Sequence, residues 1–285
     1  MDLQTLRFFI AAAETGSFSE AAQALNYAQS NLSHRIRQLE EELGEKLFYR
    51  NRRGVSLTAK GELFYDYSVR MIRLSEDAVT VMRDMEHPQG RLAIGSIEAT
   101  ALGDLPKLLS DYHSRYPDVK LFLQTELNEF FVPRILNRSL DGAFMAGPVV
   151  HPEIKSVFLK KERLVIVGSP SDKETDIDEI LAHKPLITFP GGSIFRKQFE
   201  LLLSSRSVTY FERFTEQNSL GAMIAAICAG IGYGYLPHSI VSPYVESGLI
   251  QEYPFHDPYA DLRIEFIYRK DHIPDAAFRL FLEML

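Results

Sequence analysis

The chain has 285 residues, enough for two or three domains, and its 46% hydrophobic and 24% charged content excludes disordered, collagen-like and low-complexity classes. A formal net charge of -7 excludes a whole-chain basic signature, so any contact with nucleic acid must be local. The single cysteine, Cys228, excludes an internal disulfide and a cysteine-based zinc site and fits a reducing compartment. The opening MDLQTLRFF reads as an amphipathic helix rather than a signal peptide, and no apolar run is long enough to span a membrane.

Up to about Met85 the pattern is helical. Leu6, Phe9, Ile10 and Ala13 recur at the i, i+3, i+4, i+7 spacing of one apolar helix face, and Gly16 ends that helix. Ser17 and Glu20 form a Ser-x-x-Glu capping box that opens a short second helix, FSEAAQAL. The chain turns around Asn26 and Tyr27. A third helix runs from about Gln29 to Leu43 and stops at Gly44, with Leu32, Ile36, Leu39 and Leu43 on one arc and Ser30, His34, Arg37, Gln38 and Glu41 on the other. A short helix, a turn and a longer helix with a polar, basic outer face make a helix-turn-helix. LFYRNRRGVSLT then alternates, turns at Gly54 and carries Arg50, Arg52 and Arg53, which reads as a two-stranded wing. From Ser30 to Lys60 the basic residues Arg35, Arg37, Lys46, Arg50, Arg52, Arg53 and Lys60 outweigh Glu40, Glu41, Glu42 and Glu45, giving an acidic chain one net-positive end.

Thr58 caps a long helix from about Ala59 to Glu86. Phe64, Tyr67, Met71, Leu74, Ala78, Val81 and Met85 follow a 3, 4 spacing, an apolar seam over three heptads that favours self-association. Pro88-Gln89-Gly90 breaks the helix. The expected division is residues 1–58 for DNA binding, 59–88 for linkage and dimerisation, and 89–285 for a separate body. From Arg91 strands and helices alternate. RLAIGS, VKLFLQTE, DGAFMAG, ERLVIVG, PLITFP, VTYFERF and GYGYLP read as strands; DLPKLLSDYHSRYP, FFVPRILNRS, Phe195 to Leu203 and LGAMIAAICAG read as helices. That grammar predicts an α/β body with largely parallel sheets.

The string FFIAAAETGSFSEAAQALNYAQSNLSHRIRQLEEELGEKLFYRNRRGVSLTAKGE resembles the winged helix-turn-helix of LysR-type transcriptional regulators. The resemblance rests on Gly16-Ser17-Phe18, Ala21-Ala22, Leu25, Gln29, Leu32-Ser33, Ile36, the run Leu39 to Gly44, Leu47-Phe48, Arg50 and Leu57-Thr58 with Gly61. The body resembles the same family's effector domain through Ile94-Gly95 and through Ala229-Gly230-Ile231-Gly232 leading to Leu236-Pro237. Ala28, Ser30 and His34 stand where the family commonly has Ser or Thr, Pro and Arg, so helix capping and base preference differ from common members. The resemblance implies an α/β protein overall: an N-terminal all-helical winged helix-turn-helix, a long linker helix and a two-lobed α/β effector domain like a periplasmic binding protein. Lobe I would hold about 91–161 and 264–285, lobe II about 162–263. It also implies a cytoplasmic regulator of double-stranded DNA, a dimer that pairs into a tetramer, a small-molecule effector, RNA polymerase as a further partner, and no membrane.

On this reading Gln29, Ser30, Asn31, Ser33, His34 and Arg37 face base edges in the major groove, Arg35 at the flank is a phosphate contact or a packing residue, and Arg50, Arg52 and Arg53 on the wing suit phosphates or the minor groove. Effector-cleft candidates lie at strand ends and before helices: Ser96, Glu98 and Thr100; Ala146 and Gly147; Gly192 and Ser193; Asn218 and Ser219. These residue types also make ordinary turns and caps. A carboxylate at Glu98 would disfavour an anionic effector and favour an amine, unless it points to solvent or pairs with Arg196. Cys228 is expected as a small buried packing residue. No catalytic motif, metal-ligand spacing or cofactor signature is present: Gly230-Ile231-Gly232-Tyr233-Gly234 follows a helix and precedes Leu-Pro, the wrong setting for a dinucleotide loop.

Overall fold

The computed structural model describes residues 1–51, 54–81, 88–172, 176–208, 214–253, 255, 257–271 and 275–285, with the backbone alone at 77, 80 and 81. The chain divides into two compact units, one built on Met1–His87 and the other on Pro88–Ile135 and Leu140–Leu285.

The first unit opens with α1 (Leu3–Thr15), α2 (Phe18–Ala24) and α3 (Gln29–Leu43). Asp2 caps α1 through the Thr5 N–H, and Gly16 closes it in the left-handed region at φ 66°. The inward face of α1 is Thr5, Leu6, Phe8, Phe9 and Ala12, one position off the expected stripe, so that Ile10 and Ala13 are only half-buried. Ser17 accepts from the Glu20 N–H at 3.3 Å, but its own N–H donates to Thr15 Oγ1, so Thr15 takes the reciprocal arm of the capping box. Ala28 opens α3 with no side-chain cap.

Leu32, Ile36 and Leu39 are fully buried in a core shared with Phe8, Phe9, Phe18, Ala21, Ala22, Leu47 and Phe48. Leu43 is not: it is 39% exposed, and Glu40 is buried in the inward arc instead. The reason is the returning chain. Glu40 Oε1 accepts the N–H groups of Leu47 and Phe48 at 2.9 and 3.2 Å, and Oε2 meets Lys46 Nζ and Arg50 Nη2 at 3.3 and 3.2 Å. A buried polar group needs partners, and this carboxylate has four.

The wing is β1 (Phe48–Asn51) paired antiparallel with β2 (Gly54–Leu57). Its turn residues Arg52 and Arg53 lie outside the described residues. Gly54 has φ 135°, and a Cβ there would sit 2.3 Å from the Gly16 carbonyl oxygen; the neighbouring Val55 N–H donates to that same oxygen at 2.8 Å. Glycine is what lets wing and α1–α2 turn meet. Thr58 then caps α4 (Ala59–Val81) by accepting the Gly61 N–H at 2.9 Å. Phe64 packs on the core of the unit. Farther along the expected seam Tyr67, Leu74 and Ala78 are exposed and Met71 is half-buried. The Val81 side chain and all of Met85 fall outside the described residues.

The second unit follows in order as β3 (Gly90–Ser96), α5 (Glu98–Leu102), α6 (Leu105–Arg115), β4 (Val119–Thr125), α7 (Phe131–Leu136), β5 (Gly142–Ala146), β6 (Ile154–Gly168), α8 (Ile177–His183), β7 (Leu186–Thr188), α9 (Ile194–Ser205), β8 (Phe214–Glu216), α10 (Leu220–Cys228), β9 (Tyr233–Pro237), α11 (His238–Glu246), β10 (Gln251–Tyr253), β11 (Asp261–Arg269) and α12 (Ala276–Leu282). The strand order is β4-β3-β5-β11-β6-β9-β7-β8, with β10 also on β6. The expectation of largely parallel sheets holds only at the two flanks. β3 pairs parallel with β4 and β5, and β7 with β8 and β9, but β6 and β11 pair antiparallel with each other and with their neighbours.

The cause is that β6 is 15 residues long. Its first part pairs with β11 and its last part, Leu164 to Val167, pairs with β9. One strand thus belongs to both half-sheets. β11 shifts register at Ile264/Glu265, where the buried Glu265 accepts from Ser156 Oγ, Arg263 and the Val149 N–H. Burial alone would raise its carboxyl; those bonds outweigh burial and hold it below the usual range. Ser96 ends β3, and Glu98 to Thr100 lie in α5. Of VTYFERF only Phe214 lies in a described strand; 209–213 lie outside the described residues.

Glu40→Ala should strip the buried Leu47 and Phe48 N–H groups of their acceptor and cost about 3 kcal/mol. Chemical unfolding of the purified chain checks this: a transition of the first unit at lower denaturant is expected, with Glu40→Gln restoring part of the loss.

Candidate functional site

Two places carry chemistry. In the first unit α3 buries Leu32, Ile36 and Leu39 and leaves Gln29, Ser30, Asn31, His34 and Arg37 exposed, with Ser33 half-buried. Five polar side chains therefore share the outer face of one helix. Among the described residues Arg37 takes no ion-pair partner. Arg35 does: its Nη1 lies 2.9 Å from Asp2 Oδ2. The Thr5 bonds, and then the Arg35 charge, hold the Asp2 carboxyl below its usual range. Arg50 is likewise engaged, 3.2 Å from Glu40 and 5.1 Å above the Phe18 ring. Arg52 and Arg53 lie outside the described residues.

In the second unit a cavity of about 350 Å³ is walled by Ile97, Glu98 and Ala99 from α5 and its approach, by Thr125 at the end of β4 and Glu126 to Asn128 after it, and by Phe189, Ser193 to Phe195 and Asn218. Of the residues singled out from sequence, Glu98, Ser193 and Asn218 line it. Gly192 and Ser193 also line an adjoining cavity of about 550 Å³ with Gly191, Arg196, Lys197 and Glu200. Gly192 sits at φ 92° before α9, a backbone that favours glycine.

The remaining candidates are outside these walls. Ser96 is fully buried and donates to the Ile97 carbonyl at 3.0 Å. Thr100 lies on α5 and Ser219 at the start of α10. Ala146 is tied at both backbone groups to Asn128, at 3.2 and 2.6 Å, and the Gly147 N–H donates to the Arg263 carbonyl at 2.7 Å. Sequence reading missed Thr125, Glu126, Leu127, Asn128, Phe189 and Phe195. The switch from the apolar run Leu121-Phe122-Leu123 to Glu126 and Asn128 is the strand-end signal that could have found four of them.

Glu98 neither pairs with Arg196 nor points away. Both its oxygens lie 3.2 and 3.1 Å from the Leu220 N–H, at the first turn of α10. Arg196 is instead held by Glu200 and Glu216 and lies 4.1 Å from the Phe214 ring centre. Glu98 thus serves α10 as a cap from another helix, which a helix N-terminus rewards in a carboxylate. Cys228, at the far end of α10, is half-buried rather than buried: α10 puts Leu220, Met223, Ile224 and Ile227 on its inward face, and residue 228 falls at its rim. Among the described residues no three metal-binding side chains cluster.

Glu98→Ala should remove this cap at a cost of about 1 kcal/mol and speed amide exchange at Leu220. Hydrogen exchange of the folded chain reads both; unchanged protection at Leu220 would mean that the bond contributes nothing.

Residues 3–62 match the family described as bacterial regulatory helix-turn-helix protein, lysR family, and residues 85–285 match the LysR substrate binding domain. The HTH-type transcriptional regulator GltR of Bacillus subtilis (strain 168) is 35% identical over 282 residues, spanning 99% of this chain and 95% of its own. The HTH-type transcriptional regulator CzcR of Bacillus anthracis is 35% identical over 285 residues, spanning 100% and 97%. The solved structure of CbnR, a LysR family transcriptional regulator, superposes with a TM-score of 0.75 at 23% identity over 100% of this chain and 98% of that one. CbnR solved in complex with its target DNA gives 0.73 at 22%, with the same coverage; at these identities the likeness speaks for the fold. The chain belongs to the LysR family and is a DNA-binding transcriptional regulator, with a helix-turn-helix head and an effector-binding domain of the LysR substrate-binding type.

Proposed function

We propose that α3 reads base edges in the major groove, with Gln29, Ser30, Asn31, Ser33, His34 and Arg37 as the reading side chains. The observation that carries this reading is the exposed polar face of α3 over its buried Leu32, Ile36 and Leu39. Gln pairs with adenine and Arg with guanine through two hydrogen bonds each. Arg35 and Arg50 already have carboxylate partners, which favours a bracing or phosphate-side role for both.

Two heads on one dimer then read two half-sites related by a dyad. The exposed Tyr67, Leu74 and Ala78 of α4 support α4 as the seam of that dimer. Pairing of dimers into a tetramer and contact with RNA polymerase at the promoter extend the same reading. Such a regulator works beside the chromosome, in the cytoplasm. A small-molecule effector occupies the 350 Å³ cavity, whose mixed apolar and polar walls suit one, and its occupancy alters the DNA response. No metal or organic cofactor enters this account.

Fluorescence anisotropy across a salt series tests the DNA reading, with the duplex upstream of the protein's own gene against a shuffled duplex of equal length. Tight binding to the first and weak, steeply salt-dependent binding to the second is expected. Arg37→Ala should weaken specific binding about fivefold to a hundredfold, a loss of about 1–3 kcal/mol, with unfolding unchanged. Equal binding by wild type and variant would remove Arg37 from the readers. For the seam, Leu74→Glu should shift the sedimenting species toward the monomer; an unchanged sedimentation coefficient would place the seam elsewhere.

A further inference from the structure

Among the described residues, the charged side chains that line the 350 Å³ cavity carry one sign: Glu98 and Glu126 line it, and no lysine, arginine or histidine does. Among the described residues Glu98 is answered by a single N–H, that of Leu220. Glu126 meets Arg134 at 3.1 Å, a pair about one-third exposed on each side. A carboxylate has about four lone-pair positions, so both retain acceptor capacity.

Ser193 adds a second, independent observation. It is 4% exposed and lines the cavity. It stands at the N-cap of α9 yet caps no N–H of that helix, and among the described residues its hydroxyl has no hydrogen-bond partner. Thr125 and Asn218 contribute further neutral oxygens. The positive end of α10, which would otherwise draw an anionic group, is already taken by Glu98. The basic residues nearby, Arg196 and Lys197, line the adjoining cavity instead. Phe189 and Phe195, with ring centres 5.3 Å apart, supply an aromatic wall, which suits an apolar body and attracts a cation.

An anionic ligand would bring a third negative charge into this enclosure. A cationic one would form charge-assisted hydrogen bonds to carboxylates already in place. We propose that the effector carries a cationic head, a primary ammonium or a guanidinium, on a short apolar body, with the head on Glu98 and Glu126 and the Ser193 hydroxyl as a neutral acceptor. The proposal rests on the reading that this cavity is the effector site, and Glu98 is then its specificity-determining residue.

The test is thermal unfolding of the full chain with a panel of linear primary amines, diamines and agmatine, and with carboxylates and dicarboxylates of matched length, at constant ionic strength. Three proteins are compared: wild type, Glu98→Gln, which keeps an acceptor for Leu220 but loses the charge, and Asn218→Trp, which places a large ring at an exposed lining position. The expected result is saturable stabilisation of wild type by at least one amine or agmatine. Its apparent affinity falls about tenfold in Glu98→Gln, the loss of one hydrogen bond to a charged group, and falls likewise in Asn218→Trp, while carboxylates have no effect. Stabilisation by carboxylates that Asn218→Trp removes would overturn the cationic head and keep the cavity as the effector site. Amine stabilisation indifferent to both substitutions would overturn the cavity reading as well. No response to any cation in the panel would overturn the proposal.

Discussion

A single buried carboxylate organises the DNA-reading end. Glu40 leaves α3 on its inward side and accepts two backbone N–H groups from the Leu47–Phe48 segment that leads into the wing. The same group holds Lys46 and Arg50. Removing a carboxylate from water is costly, and the cost is offset only when its lone pairs are filled. The residues that fill them are the ones that turn α3 into β1. The wing is thereby tied to the helix it flanks, and its far end is tied to the α1–α2 turn through Gly54 and the Gly16 carbonyl. Recognition needs side chains held in register against a duplex, and these buried bonds supply the rigidity that an exposed helix lacks alone.

The sensing unit solves a different problem. Two half-sheets with parallel flanks share the long strand β6, with β11 antiparallel beside it. Because the chain crosses from one half to the other along such strands, the strand ends of each half face a common cavity. Glu98 spans that cavity within the unit, from α5 of one half to the first turn of α10 in the other. The protein thus fills one of its own helix N-termini with its own carboxylate.

Much of the head was legible in sequence because its signals are local. Gly16 and Gly44 take the left-handed turns expected of them, Thr58 caps α4, and Leu32, Ile36 and Leu39 keep helical spacing. The exchange of Leu43 for Glu40 on the inward arc was not legible, because it depends on where the wing returns rather than on α3 itself. The same limit applies in the body. Alternation exposed the individual strands, but strand direction follows from the length of β6, whose first residues IKSVFLKK are half polar and do not read as a strand. Glu98, Ser193 and Asn218 were visible as polar residues at element ends. Thr125 to Asn128 join them only through the pairing of β4 with β3, a contact that spacing along the chain does not encode. Ser96 sits at an equally suggestive strand end and is buried.

The account stands on α3 as the sequence-reading element of a family regulator. Genome-wide mapping of the DNA occupied by the protein in its own host, comparing wild type with Arg37→Ala, tests that most directly. The account predicts a small set of discrete sites sharing an interrupted inverted repeat, with occupancy lost in the variant although the protein persists at equal level. Diffuse occupancy without a shared dyad, or sites unchanged by the substitution, would contradict it.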